Sequence, residues 1–244
     1  MIPIRDDVPS RTTPIVTISI LVVNALAFLY QLMLGPGLRA FFADFAVIPA
    51  LYFSEGVRGP GGWIQPLAAP DLVVPLFTSM FLHGGWLHLI GNMVYLWIFG
   101  DNVEDRLGRG RFVVFYLLCG LTASGAHIFS NPGSVVPSLG ASGAIAGVLG
   151  AYVLLYPKAR VVVLMPFGFF LHTFQVPAVF FLGFWFVQQL LYGTLSLGVA
   201  SAQTGGVAWW AHIGGFAAGF LLVKLFARRR PRPAARDVWW TEAR

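Results

Sequence analysis

The chain has 244 residues, of which 57% are hydrophobic and 11% charged, with a net charge of +6 and one cysteine. A soluble domain carries about 25% charged residues, so this chain could not cover a water-facing surface. Its hydrophobicity excludes a disordered chain, and a lone Cys119 makes neither an intrachain disulfide nor a cysteine metal site. The composition is that of an integral membrane protein.

A spanning helix needs about 20 mostly apolar residues. Residues 1–13 read as a cytoplasmic N-terminal segment. The first span runs from Ile15 to Leu34 and continues past Ala25 and Ala27, which marks a retained helix rather than a cleaved signal. Gly35 to Gly84 is rich in Gly, Pro and aromatic residues and reads poorly as a span. Five further spans follow: Trp86–Phe99, Phe112–Phe129, Ser142–Tyr156, Phe174–Tyr192 and Val207–Phe226. The expected fold is therefore an all-α, six-transmembrane-helix bundle over residues 14–227. Residues 228–244 form a basic tail.

The basic residues set the expected orientation. With the N-terminus inside, the cytoplasmic side holds Arg5, Arg11, Arg106, Arg109, Arg111, Lys158, Arg160, Lys224 and all six arginines of the tail, and the outer side only Arg39 and Arg58. That bias puts both termini in the cytoplasm. The positive charge then serves topology and anionic lipid, and no nucleic-acid partner is called for.

The second and fourth spans are short. At about 1.5 Å per residue they reach roughly 21–23 Å, against a hydrocarbon core of about 30 Å. Such a helix starts or stops inside the membrane, and its irregular flank needs cover from protein or a water-filled cavity. Gly35–Gly84 is the natural wall of that cavity.

Polar residues in spans are functional candidates, and here they converge. The second span brings His83, His88 and Asn92, the last two on one helix face. The fourth opens with Gly140-Ala141-Ser142-Gly143, and the sixth carries His212 in Ala211-His212-Ile213-Gly214-Gly215. All three spans enter from the outer face, so these groups share a depth. A serine hydroxyl becomes nucleophilic when a base takes its proton, and histidine is the usual base. Acyl transfer also needs donors for the oxyanion, which a helix N-terminus at Ser142, Asn92 and His88 could supply. Gly140 and Gly143 relieve bulk at the turn. No Asp or Glu lies in the outer half of a span, so the expected site is a Ser–His dyad without a carboxylate. Gly215 and Gly219 have the small-xxx-small spacing for close packing, with Gly143, Gly147 and Gly150 as partners.

These residues resemble the rhomboid family of intramembrane serine proteases. Gly140-Ala141-Ser142-Gly143 is similar to its GxSG motif. His83, His88 and Asn92 match its pattern of two histidines and an asparagine. Ala211-His212 with Gly215 and Gly219 resembles its last-helix motif, and Gly100-Asp101-Asn102-Val103-Glu104-Asp105-Arg106-Leu107-Gly108 resembles the turn after its second helix. The resemblance implies a rhomboid-like six-helix core with Ser142 as nucleophile and His212 as general base. It implies an oxyanion site of Asn92, His88 and the Ser142 N–H. It further implies cleavage in or near a transmembrane segment of another protein, without a cofactor. It leads us to expect lateral entry beside the fifth span, with Phe180, Phe181, Phe184, Trp185 and Phe186 facing lipid or the gate. Two positions depart from the family: Val74-Pro75 stands where many members have Trp-Arg, and Ala146 where some stack an aromatic on the histidine.

Bland readings stand beside these. His83 reads as structural, His127 as interfacial, and Cys119 as a buried thiol. No metal is expected, since His83 and His88 are badly spaced for one helix face and no His-Glu-x-x-His segment occurs. Functionally, the alternatives are an inactive rhomboid-like protein that binds transmembrane clients and a small transporter. The latter tends to show paired half-repeats. The substrate and oligomeric state are not legible. The lack of a transit-like leader favours a bacterial inner membrane, with the site opening to the outer face.

Overall fold

The computed structural model describes residues 2–58, 64–65, 67–167, 170–197 and 207–227; the basic tail beyond Ala227 lies outside the described residues. In chain order the elements are β1 (Ile2–Asp6), α1 (Ile15–Met33), α2 (Leu38–Phe45), β2 (Val57–Arg58), β3 (Ile64–Gln65), α3 (Ala69–Thr78), α4 (Trp86–Leu107), α5 (Arg109–Ser130), α6 (Ser142–Leu155), β4 (Arg160–Phe167), β5 (Phe170–Pro177), α7 (Ala178–Leu195) and α8 (Trp209–Phe226). Short 3-10 turns cover Gly35–Gly37, Pro49–Phe53 and Ser79–Phe81.

Four helices are long and apolar enough to cross a membrane: α1, α5, α7 and α8. A fifth candidate arises if Ala69–Phe81 and Trp86–Leu107, bent by 77°, form one broken span, and α6 is a shorter apolar helix. The protein is thus an integral membrane protein, mostly helical, with four or five candidate spans where six were expected.

Three expectations need correction. The chain is not all-α: β1, β4 and β5 form an antiparallel sheet in the order β1-β4-β5. The β-branched run Val161-Val162-Val163 suits a pleated strand, with Val161 and Val163 buried. Pairing carries β5 through to Pro177, so the fifth helix begins at Ala178 rather than Phe174. His172 lies in β5 opposite Met165. Finally, the second helix does not stop at Phe99. Its apolar stretch ends there, but the helix runs on through Asp101-Asn102-Val103-Glu104 until Gly108 breaks it with φ +81°.

That polar extension organises the end of the bundle away from the serine. α1 begins at Pro14 with no side-chain cap. Its free amides are taken by Glu104, whose carboxylate accepts from Val16 N–H (3.0 Å), Thr17 N–H (2.7 Å) and Thr17 Oγ1 (2.8 Å). Glu104 is therefore a structural cap, aided by the positive end of the helix dipole. Nearby, Asp6 accepts from the Tyr152 hydroxyl and from Asn102 Nδ2 (2.9 Å), and so ties β1 to α4 and α6. Burial pushes the Asp6 carboxyl above the usual range, with the Tyr152 hydroxyl opposing.

The core centres on α6. Every residue from Gly143 to Tyr152 is buried, packed among Phe99, Phe115, Tyr116 and Cys119. α6 and α8 touch backbone to backbone. A Cβ on Gly219 would fall on the Gly147 carbonyl oxygen, one on Gly215 on the Gly143 carbonyl oxygen, and one on Gly150 on the Phe216 carbonyl oxygen. Interior overpacking typically costs about 1–3 kcal/mol, and a rigid carbonyl gives less than a side chain. Gly219→Val is therefore expected to cost about 3 kcal/mol or more, read as a lowered unfolding midpoint in detergent. A wild-type midpoint would show that this contact does not set the helix spacing.

Candidate active site

The serine lies where an irregular loop turns into α6. That loop is pinned at several places. Val47 and Ser138 exchange backbone hydrogen bonds of 3.0 and 2.7 Å, and Gly140 N–H donates to the Ser79 carbonyl at 2.8 Å. Gly140 has φ +130°, and a Cβ there would lie 2.7 Å from His88 Nε2. The turn into Ser142 therefore requires glycine for both conformation and space. α6 is 14 residues long, about 21 Å at 1.5 Å per residue. It stops short of a membrane's thickness, as the sequence indicated.

The structure brings the predicted pair together. Ser142 Oγ lies 2.8 Å from His212 Nε2, across the α6–α8 seam that the glycines close. Both line a cavity of about 1000 Å³, together with His88 and Asn92. Phe42 and Gly84 contribute to its rim, so the segment before α4 does form part of its wall.

His83 is fully buried. Its backbone is clamped by Gln31 of α1: His83 N–H donates to Gln31 Oε1 (3.0 Å), and Gln31 Nε2 donates to the His83 carbonyl (2.7 Å). Asn92 Nδ2 lies 2.9 Å from His83 Nε2. An amide nitrogen only donates, so the imidazole nitrogen accepts, and the second Asn92 amide hydrogen is left for another acceptor. His88 Nδ1 accepts a long hydrogen bond from Gly84 N–H (3.4 Å), which places Nε2 beside Gly140. The first amides of α6, Ser142 N–H included, have no intrahelical partner. The geometry assembles a hydroxyl, a base and three sets of donors around one cavity.

One contact was not anticipated. His212 Nδ1 lies 2.8 Å from Gln189 Oε1 on α7, and Gln189 is buried. The sequence offers only an uncharged amide within an apolar helix there, whereas the expected dyad rests on the lack of carboxylates. Trp185, one turn earlier on α7, sets its ring 5.7 Å from that of His212. The aromatic residues of α7 therefore divide. Phe180 and Phe184 are exposed, as expected, whereas Phe181 is buried, Trp185 lines the cavity, and Phe186 stacks on Phe216. Ala146 is buried in the cavity wall without stacking on the imidazole, and Val74-Pro75 lies within α3, with Pro75 buried. His127, expected at an interface, is buried, with Nδ1 3.3 Å from Asn131 Nδ2. Among the described residues no group of three or more His, Cys, Asp or Glu could hold a metal ion.

The chain is 48% identical over 81 residues to Rhomboid protease GluP of Bacillus subtilis (strain 168), a match covering 33% of this chain and 15% of that protein. It is 36% identical over 102 residues to the Presenilin-associated rhomboid-like protein A, mitochondrial, of Danio rerio, covering 41% and 27% of the two chains. It is 31% identical over 152 residues to Rhomboid protein 1, mitochondrial, of Saccharomyces cerevisiae, covering 61% and 40%. The chain thus spans less than half the length of these relatives. Residues 70–229 match the Rhomboid domain, a region that includes Asn92, Ser142, Gln189 and His212, and the chain belongs to the rhomboid family.

Proposed function

We propose that this protein is an intramembrane serine endopeptidase that hydrolyses peptide bonds in or near transmembrane segments of other membrane proteins. The observation that carries this reading is the 2.8 Å approach of Ser142 Oγ to His212 Nε2 inside a large cavity. The names of the relatives, one of them a rhomboid protease, support it.

His212 Nε2 takes the Ser142 proton as Oγ bonds to the scissile carbonyl carbon, and the carbonyl electron pair moves to oxygen. Asn92 Nδ2, His88 and the Ser142 N–H are the donors for that oxyanion. Collapse breaks the C–N bond, and the imidazolium returns its proton to the leaving amine. Water then repeats the sequence on the acyl-enzyme and frees the serine. His83 holds Asn92, while Gly140, Gly143, Gly215 and Gly219 set the spacing.

In the membrane we assign six spans, with α4 and the short α6 joining α1, α5, α7 and α8. The termini are cytoplasmic, and the cavity opens to the outer face. The cytoplasmic excess of Arg and Lys supports this. The membrane is taken to be a bacterial inner membrane. Val135→Cys, on the exposed turn before α6, is expected to react with an impermeant maleimide on sealed right-side-out vesicles, and Lys158→Cys only after permeabilisation. The opposite pattern would invert the topology; the native Cys119 is buried and does not interfere.

Catalysis is tested with a single-span reporter in liposomes and a fluorophosphonate probe. Ser142→Ala and His212→Ala should each abolish cleavage while remaining folded, and Ser142→Ala should lose probe labelling. If wild type neither cleaves nor labels, the inactive client-binding reading replaces this one. Asn92→Ala should lose roughly 10²–10³ in rate, and an undiminished rate would remove it from the oxyanion site.

A further inference from the structure

His212 lies between two partners, Ser142 Oγ at Nε2 and Gln189 Oε1 at Nδ1, each at 2.8 Å. Which ring nitrogen carries the proton decides whether the histidine can act as a base toward the serine. The Gln189 amide settles this. Its Nε2 lies 3.2 Å from the main-chain carbonyl oxygen of Trp185, one turn earlier on α7. A carbonyl only accepts, so the NH₂ end of the amide faces Trp185, and the oxygen end, also only an acceptor, faces His212. The proton between them must then sit on Nδ1. That leaves the lone pair on Nε2, directed at the Ser142 hydroxyl. Flipping the amide would set one carbonyl oxygen against another.

We infer that Gln189 is the positioning residue of this site, accepting from His212 Nδ1–H and so holding the imidazole in the tautomer that can take the Ser142 proton. Its acceptor is the Trp185 carbonyl, so the tautomer is fixed in the end by the α7 main chain. Burial supports the assignment: Gln189 is 5% exposed in an apolar helix, where an amide without partners would be costly. Ala146, at the place where an aromatic would stack on the ring, has no side chain long enough to restrain it. The Trp185 ring lies beside the imidazole, on the same α7 face as Gln189. Gln189 bonds His212 and not the nucleophile, so it acts through the histidine.

This inference rests on the serine-protease reading for its catalytic consequence but not for its geometry, and the test separates the two. Nitrogen NMR of histidine-labelled protein in bilayers reports the tautomer directly, with the His212 signals identified by their loss in His212→Ala. Wild type is expected to show protonated Nδ1 and bare Nε2. Gln189→Leu, which keeps the volume and removes the acceptor, should mix the tautomers and lower kcat by on the order of 10²-fold with KM little changed. Gln189→Glu keeps an acceptor oxygen in either protonation state and should restore the Nδ1–H form and most of kcat. A wild-type Nε2–H tautomer would overturn the inference without any variant, even if Gln189→Leu failed to fold. So would a Gln189→Leu protein that keeps the Nδ1–H form and wild-type kcat. Absence of cleavage by wild type would defeat the protease reading alone, and the tautomer would still decide the role of Gln189.

Discussion

The backbone contact between α6 and α8 is the constraint on which the site depends. Ser142 and His212 are 70 residues apart, and no local structure relates them. What relates them is a seam in which Gly215 and Gly219 rest on the carbonyls of Gly143 and Gly147. In a lipid environment helices gain little from burying apolar side chains against one another, so close packing and hydrogen bonds must hold them. A seam without side chains gives the closest approach available, and it fixes the axial register of the two helices as well as their spacing. Both are needed for a 2.8 Å contact between a helix's first residue and one in the first turn of its neighbour.

Around that seam, several polar groups that would be costly in a membrane pair with one another, and the pairs form a chain. Gln31 of α1 holds the His83 backbone, His83 accepts from Asn92, and Asn92 faces the cavity. At the far end, Glu104 of α4 closes the open amides of α1. α1 is thus held by Glu104 of α4 near one end and by the turn that precedes α4 near the other. This places a helix with no catalytic side chain in control of where the Asn92 amide points.

Much of this was legible in the sequence because depth in a membrane can be counted. Ser142, His212, His88 and Asn92 fall near one end of three helices, and that arithmetic survives errors of a few residues at helix ends. Glycine spacing indicated the α6–α8 seam for a similar reason: a periodic absence of side chains has one common physical use. Other features were not legible. The end of α4 lies at Leu107 because Glu104 and Asn102 find partners in α1 and β1, far away in sequence. The end of the β4–β5 hairpin, from Phe174 to Pro177, reads as helix in the sequence because a short apolar run does not by periodicity alone separate strand from helix. Gln188 and Gln189 are adjacent, and only packing shows that the buried one shares a helix face with Trp185 and meets the imidazole.

The choice of glutamine at that point fits the membrane setting proposed for the site. A carboxylate would orient the imidazole equally well and would stabilise the imidazolium, but an ionised carboxylate within the membrane is expensive unless its charge is compensated. Among the described residues, no Arg or Lys is hydrogen-bonded to Gln189 or to His212. A neutral amide gives the acceptor without the charge. It keeps the directional half of what a carboxylate would do, the choice of tautomer and ring orientation, and gives up the electrostatic half. On the proposed mechanism, the imidazolium formed as Ser142 loses its proton is stabilised chiefly by the oxyanion beside it, for which Asn92, His88 and the α6 amides are the proposed donors.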